Sequence, residues 1–246
     1  MTTCFIADLH LEEDRRDVTD AFLDFLPRYA HGIEALYILG DFFEAWIGDD
    51  ERTPLQEEIA EALQATRATG TKLYLMHGNR DFLIGEDFCQ RIGATLLEDP
   101  TVIDLYGEPT LLMHGDSLCT ADEEYQKFRA NMRDPQWQQA FLQRPLADRQ
   151  MVARQMRQIS QAKNQDKQQD IMDVTPDEVI RTMAEHGVRR LIHGHTHRPA
   201  VHDLQLEDTP ARRYVLGDWH SQVWYITATP EQLPELHSAP FPPQRQ

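Results

Sequence analysis

Five short apolar runs, at residues 4–7, 36–39, 73–76, 110–113 and 191–192, are each followed by a polar cluster containing Asp, Asn or His. Runs this short and this apolar suit strands buried on both faces. Helix-period segments lie between them, at 18–29, 54–68 and 176–186. Strand alternating with helix predicts a layered α/β sheet. Thr175, with Pro176 next and Glu178 three positions on, predicts a helix start with a capping box. Two later runs, 213–216 and 223–227, predict that the chain closes with strands alone, as a second sheet.

Residues 125–169 are different in kind: rich in Gln, without Gly and without a strand-like run, they predict two or three helices inserted between the fourth and fifth strands. They hold nine Lys or Arg against three Asp, a net +6 inside a chain of net −17. The length of 246 residues fits one domain carrying such an insertion. The expected division is a core of 1–121 and 170–229, a cap of 122–169, and a Pro-rich, fraying tail of 230–246.

The net charge of −17 excludes a general nucleic-acid binder. Three cysteines with no Cys-x-x-Cys pair signal neither a disulfide framework nor a thiolate metal site, which fits a reducing compartment. The first ten residues lack a basic stretch and a signal core, and no run reaches the 18 to 20 apolar residues that a span needs, roughly. Any membrane contact is therefore expected to be peripheral.

The chemistry lies in the clusters after the strands. The first carries Asp8 and His10, two apart and so on one side of an extended chain. Then come Gly40-Asp41, Gly78-Asn79-Arg80-Asp81, His114-Gly115-Asp116 and Gly194-His195-Thr196-His197. In α/β sheets the carboxyl ends of the strands share one crevice, so groups far apart in sequence converge there. Asp8, His10, Asp41, Asn79, His114, His195 and His197 are too many oxygen and nitrogen ligands for one tetrahedral ion and enough for two ions sharing a carboxylate. Asp81, Asp116 and Asp218 are expected either to orient ligand imidazoles or to cap turns. The other histidines, His220 among them, have no partner at ligand spacing and carry no assigned role.

Asp-x-His, Gly-Asp, Gly-Asn-x-Asp, His-Gly-Asp and Gly-His-x-His, in this order over residues 5–197, resemble the calcineurin-like metallophosphoesterase superfamily. The resemblance implies an α/β metallophosphoesterase fold, a layered β-sheet sandwich flanked by helices, with an inserted helical cap. It also implies one ion held by Asp8, His10, Asp41 and His197 and a second by Asp41, Asn79, His114 and His195. Imidazole and carboxylate ligands without thiolate suit Mn, Fe, Co or Zn alike. Where most members have His after the Gly-Asn pair, this chain has Arg80. A guanidinium cannot act as a general acid near neutrality, but it pairs with a leaving group that is itself a phosphate. Diphosphate cleavage is the expected reaction.

Arg80, the chain length and the basic insert together resemble, more closely, the sugar-nucleotide diphosphatases of lipid A biosynthesis. That resemblance implies hydrolysis of UDP-2,3-diacylglucosamine by metal-activated water at the α-phosphorus, giving UMP and 2,3-diacylglucosamine 1-phosphate. It implies two Mn2+ per subunit, a monomer, a lipid-linked sugar-nucleotide substrate, and a peripheral position on the cytoplasmic face of the inner membrane. Catalysis falls to Arg80, Asp41 and His114, and substrate binding to Asn79, Arg80, Asp122, Ser160, Asn164, Lys167 and His195. Ser160, Asn164 and Lys167 also share a helix face by spacing alone, suited to sugar hydroxyls or a phosphate. Phe128, Met132, Trp137, Phe141, Met151, Met156 and Ile159 give the insert apolar content that suits acyl chains or an ordinary cap core. A metallophosphoesterase acting on another phosphodiester or nucleotide conjugate is the alternative; a binding module that has lost its chemistry is a second rival, against which the complete ligand set speaks.

Overall fold

The structure is a computed structural model that describes residues 1–166 and 173–243, with side chains described for 1–158 and 173–243. The first half runs β1 (Thr3–Ile6), α1 (Arg16–Tyr29), β2 (Ala35–Leu39), α2 (Pro54–Ala68), β3 (Lys72–Met76), α3 (Glu86–Ile92) and β4 (Ala94–Leu97). Next come β5 (Thr101–Leu105), β6 (Glu108–Leu112), the cap helices α4 (Glu123–Met132), α5 (Pro135–Leu142) and α6 (Leu146–Asp166), and then α7 (Pro176–Glu185) and β7 (Arg190–His193). The chain ends in β8 (Ala200–Leu206), β9 (Thr209–Val215), β10 (Gln222–Thr229) and β11 (Gln232–Pro240).

These strands form two sheets, ordered β11-β10-β1-β2-β3-β4 and β5-β6-β7-β9-β8. In the first, β1 to β4 are parallel; in the second, β6, β7 and β9 are. Parallel strands covered on both sides read as unbroken apolar runs, and β2 is buried at all five residues. Successive residues divide between two layers. Cys4, Ile6, Leu36 and Ile38 pack with Phe22, Phe25, Ile59 and Leu63 of α1 and α2. Phe5, Tyr37 and Leu39 pack instead with Leu112, Ile192 and Tyr214 between the sheets. On the far side, Leu111 and Leu191 meet Val179 and Met183 of α7. Each such buried side chain contributes about 1.5–3 kcal/mol, so the layers fix the strand ends that carry the polar clusters.

Four expectations change. β4, β5 and β8 are further strands, so the cap lies between β6 and β7. The crevice is shared by two sheets, the first giving the ends of β1, β2 and β3 and the second those of β6 and β7. The Pro-rich tail is expected to fray, but its residues 232–240 form β11, which pairs antiparallel along β10, from Gln222 opposite Pro240 to Thr229 opposite Gln232. Pro234 and Pro240 are accommodated because β11 is an edge strand, where a missing N–H costs no ladder bond. Finally, α7 starts where Thr175 and Pro176 predict, but the Thr175 side chain makes no cap and accepts instead from the Thr120 hydroxyl at 2.8 Å. The complete capping box belongs to Thr53 and Gln56 of α2.

Candidate active site

Three of the five polar clusters, those after β1, β2 and β7, leave their strands through a backbone turn that side chains rarely adopt. Seven non-glycine residues have positive φ among the described residues, and five are Asp8, His10, Asp41, His195 and His197. Left-handed conformation costs a non-glycine residue about 1–3 kcal/mol and persists only where the surroundings enforce it. The enforcement is visible: Asp8 N–H donates to Gly40 O at 3.1 Å, His10 N–H to Asp41 O at 2.9 Å, and His195 N–H to Asp8 Oδ2 at 2.9 Å, which ties the two sheets together. Gly78 is required by close approach, since a Cβ there would lie 2.1 Å from Asp41 Oδ1.

The side chains gather into two groups. Ligand atoms of Asp8, His10 and His197 lie within 4.8 Å of one another, and so do those of Asp41, His114 and His195. Asp41 faces both: Oδ2 is 3.7 Å from His10 Nε2 and Oδ1 is 3.7 Å from His114 Nε2. Asn79 joins the second group, its Oδ1 3.0 Å from His114 Nε2 and 2.9 Å from His195 Nδ1. Outer contacts fix the rings. His114 Nδ1 donates to Leu39 O at 2.9 Å and His10 Nδ1 to Glu44 at 2.8 Å, which leaves each Nε2 facing the cluster. Every residue assigned to the metals by sequence is thus brought together.

The electrostatics call for cations. Burial lowers the His10 ring, but Glu44, Asp41 and Asp8 outweigh it and push it up to about 9. Burial is likewise outweighed at His114, where Asp41, Asp116 and Asp8 raise the ring to about 9. Burial raises Asp8, yet His197, His114 and His10 hold its carboxyl well below the usual range. Burial and the neighbouring His114 lower His195 to about 4, so that ring is neutral. Asp8 Oδ1 is buried without a hydrogen-bond partner. Carboxylate oxygens and imidazole nitrogens converging here fit divalent cations, which would displace the protons held on His10 and His114.

Sequence reasoning missed several neighbours. Glu44, three residues beyond Asp41, accepts from His10 and lies 3.8 Å from Arg80 Nη1 and 3.2 Å from Arg157 Nε. Arg157 of α6 also donates to Glu12 at 2.6 Å. Asp81 orients backbone, not an imidazole: it accepts from Phe42 N at 2.7 Å, Phe43 N at 3.3 Å and Gly78 N at 2.8 Å. Asp116 is held by Tyr125 Oη at 2.7 Å and Arg129 Nε at 2.8 Å, and Asp218 lies 3.7 Å from His197 Nδ1.

Arg80 donates its backbone N–H to Asp41 Oδ1 at 2.8 Å, and its Nε is buried with no partner. It stands at the head of an apolar groove between core and cap, lined by Trp46, Phe82, Phe128, Trp137, Phe141 and Met156. Asp122 caps α4, accepting from Tyr125 N at 3.1 Å. The Ser160 and Asn164 side chains and all of Lys167 lie outside the described residues.

A pair of carboxylate–imidazole clusters at the ends of parallel strands, each with a buried aspartate and the two joined by Asp41, defines a class. The chain belongs to the calcineurin-like phosphoesterase family, whose model matches residues 1–199, and it is a metal-dependent hydrolase with a divalent-metal site. Within that class, it is 66% identical to the UDP-2,3-diacylglucosamine hydrolase of Marinobacter nauticus, over 98% of this chain and 99% of that one. Proteins of the same name from Hahella chejuensis and Cellvibrio japonicus are 58% and 56% identical, covering 92% and 93% of this chain and 92% and 95% of theirs.

Proposed function

We propose that this protein hydrolyses the diphosphate of UDP-2,3-diacylglucosamine to UMP and 2,3-diacylglucosamine 1-phosphate. The relatives' shared name supports the substrate, and one observation carries the reading: Arg80 stands between the metal-ligand clusters and an apolar groove lined by aromatic side chains. Phe82, Phe128, Trp137 and Phe141 offer that groove the surface that acyl chains need to leave water.

In this reading Asp8, His10, Asp41 and His197 hold one Mn2+, and Asp41, Asn79, His114 and His195 hold a second. Bound there, divalent ions would lower the pKa of a water and draw charge from phosphoryl oxygens. Asp41 keeps both groups in register through one carboxylate, while Glu44 and Leu39 O hold His10 and His114 in their orientations. Arg80, with its unpartnered Nε, pairs with the departing sugar phosphate, which needs charge compensation and no proton. Asn79, His195, Asp122, Ser160, Asn164 and Lys167 are the remaining substrate contacts. The protein acts as a monomer on the cytoplasmic face of the inner membrane, attached peripherally through its cap.

Phosphorus NMR of the Mn2+-loaded protein with the substrate in detergent and ¹⁸O-labelled water tests this. The expected result is UMP carrying the label. Label in the sugar phosphate overturns attack at the α-phosphorus; intact substrate beside cleavage of a simple phosphodiester overturns the lipid assignment.

A further inference from the structure

Two cavities meet at the metal-ligand clusters, and they differ in chemistry. One is the apolar groove under the cap. The other is polar, and the ligands His10 and His197 line it together with Glu12, Arg15, Asp218 and His220. Glu44, Arg80 and Arg157 line both and form the wall between them. A substrate whose phosphates lie at Arg80 and whose acyl chains enter the groove has its remaining end in the polar cavity.

The groups there suit a nucleoside. Arg15 Nε and Nη2 donate to the two Asp17 oxygens at 2.8 and 2.9 Å, and Nη2 also donates to the His220 carbonyl at 2.8 Å. Nη1 faces only His220 Nδ1, at 3.4 Å, among the described residues. Of the five guanidinium donors, those on Nη1 are therefore the ones held ready for a ligand. Asp17 offsets the Arg15 charge, so these donors suit a neutral carbonyl better than a phosphate. The exposed His220 ring offers a flat face to a base. Carboxylates of Glu12 and Asp218 repel phosphate but accept from hydroxyls, as a ribose requires.

We infer that this polar cavity is the nucleoside subsite: Arg15 and His220 hold the pyrimidine of the uridine nucleotide, and Glu12 and Asp218 accept its ribose hydroxyls. This rests on the substrate proposed above and locates its nucleotide half. It gives a role to His220, which has no ligand-spaced partner in the sequence.

The test is calorimetric titration of UMP into the Mn2+-loaded protein, beside titration of 2,3-diacylglucosamine 1-phosphate in detergent. Arg15→Gln raises the Kd for UMP roughly tenfold, the scale of a lost hydrogen bond in a partly buried site, and His220→Ala raises it several-fold. Neither variant shifts the Kd of the lipid product by more than about twofold, since the phosphate and acyl contacts are elsewhere. Should Arg15→Gln melt early, Arg15→Lys keeps the charge beside Asp17 and removes the planar fork, and the same split is expected. UMP affinity unchanged in both the Arg15 and His220 variants overturns the subsite and leaves the substrate reading standing. Equal weakening of both ligands also overturns it, because the effect then lies at the shared phosphate site. A wild-type protein that binds neither ligand overturns the substrate reading and the subsite with it.

Discussion

Arg80 occupies a place where a proton donor is absent by chemistry, and its value depends on the leaving group. Arg80→Ala should lower diphosphate turnover by about 10²–10³-fold, the usual loss for one electrostatic contact made in the transition state. Steady-state rates on the diphosphate and on a p-nitrophenyl diester compare the two, and an equal loss on both would deny Arg80 its pairing with the departing phosphate. Glu44 acts one step back from the metals. Glu44→Ala leaves His10 Nδ1 without its acceptor and should weaken metal affinity by about 10–100-fold, read by competition with a chelating dye. The raised rings set a pH dependence. His10 and His114, pushed up to about 9 by the carboxylates around them, hold protons near neutrality that a metal ion must displace. Metal affinity should therefore rise as pH climbs toward about 9, with proton uptake by buffer visible in calorimetry across buffers of different ionisation enthalpy. In the metal-free protein the sign for stability is opposite: folded values above the ordinary 6.5 contribute stability that is complete below 6.5 and lost as pH rises through about 9. All seven residues that the structure gathers into the two clusters were legible because each stands within five residues of the end of an apolar run. Glu44, Glu12 and Arg157 were not, since an acid or a base in a loop or on a polar helix face has no spacing that distinguishes it from a solvated one.

Among the elements, parallel strands announced themselves and alternating ones did not. β2 is apolar at every position, whereas β8 alternates half-buried with exposed residues and carries His202, Asp203 and Gln205 on its way. β11 was hidden by prolines that rule out a helix but not an edge strand. The cap was legible as helices from its missing glycines and strand runs, but its anchor was not. Arg149 of α6 is 2% exposed and donates to Ile47 O at 2.6 Å, Asp50 Oδ1 at 2.8 Å and Arg144 O at 3.0 Å. Asp50 is largely exposed, so the ion pair itself is worth little. The buried carbonyl of Ile47 matters more: Arg149→Met leaves it unsatisfied, a cost of about 1–3 kcal/mol. The expected outcome is a cap cleaved faster by protease at native temperature, with KM for the acylated substrate raised more than kcat is lowered. Cleavage at the wild-type rate would show that the cap is held by its apolar contacts alone.

At the scale of the whole molecule, charge and exposed apolar surface point the same way. The segment 125–169 is basic within an acidic chain, and Phe128, Leu142 and Met151 of the cap are 44%, 40% and 54% exposed. No helix among the described residues is long and apolar enough to cross a membrane. An anionic leaflet attracts basic residues near its surface by about 1 kcal/mol each and repels an acidic body, so the membrane attachment proposed above would turn the cap toward the lipid. The two contributions separate experimentally. Attraction through charge weakens once the Debye length shrinks, from ~10 Å at 0.1 M salt to ~3 Å at 1 M. Burial of Leu142 and Met151 in the interface does not, and each offers about 1.5–3 kcal/mol if fully buried. Co-sedimentation with anionic vesicles should therefore fall steeply with salt, and the double variant Leu142→Glu, Met151→Glu should bind at least about tenfold more weakly at low salt. Substrate delivery ought to follow: the same variant should lose turnover on substrate held in vesicles while keeping its rate on substrate in detergent micelles, because neither residue lines the apolar groove or the metal clusters. Equal rates on both presentations, with vesicle binding lost, would mean that the lipid reaches the groove without the cap first meeting the membrane.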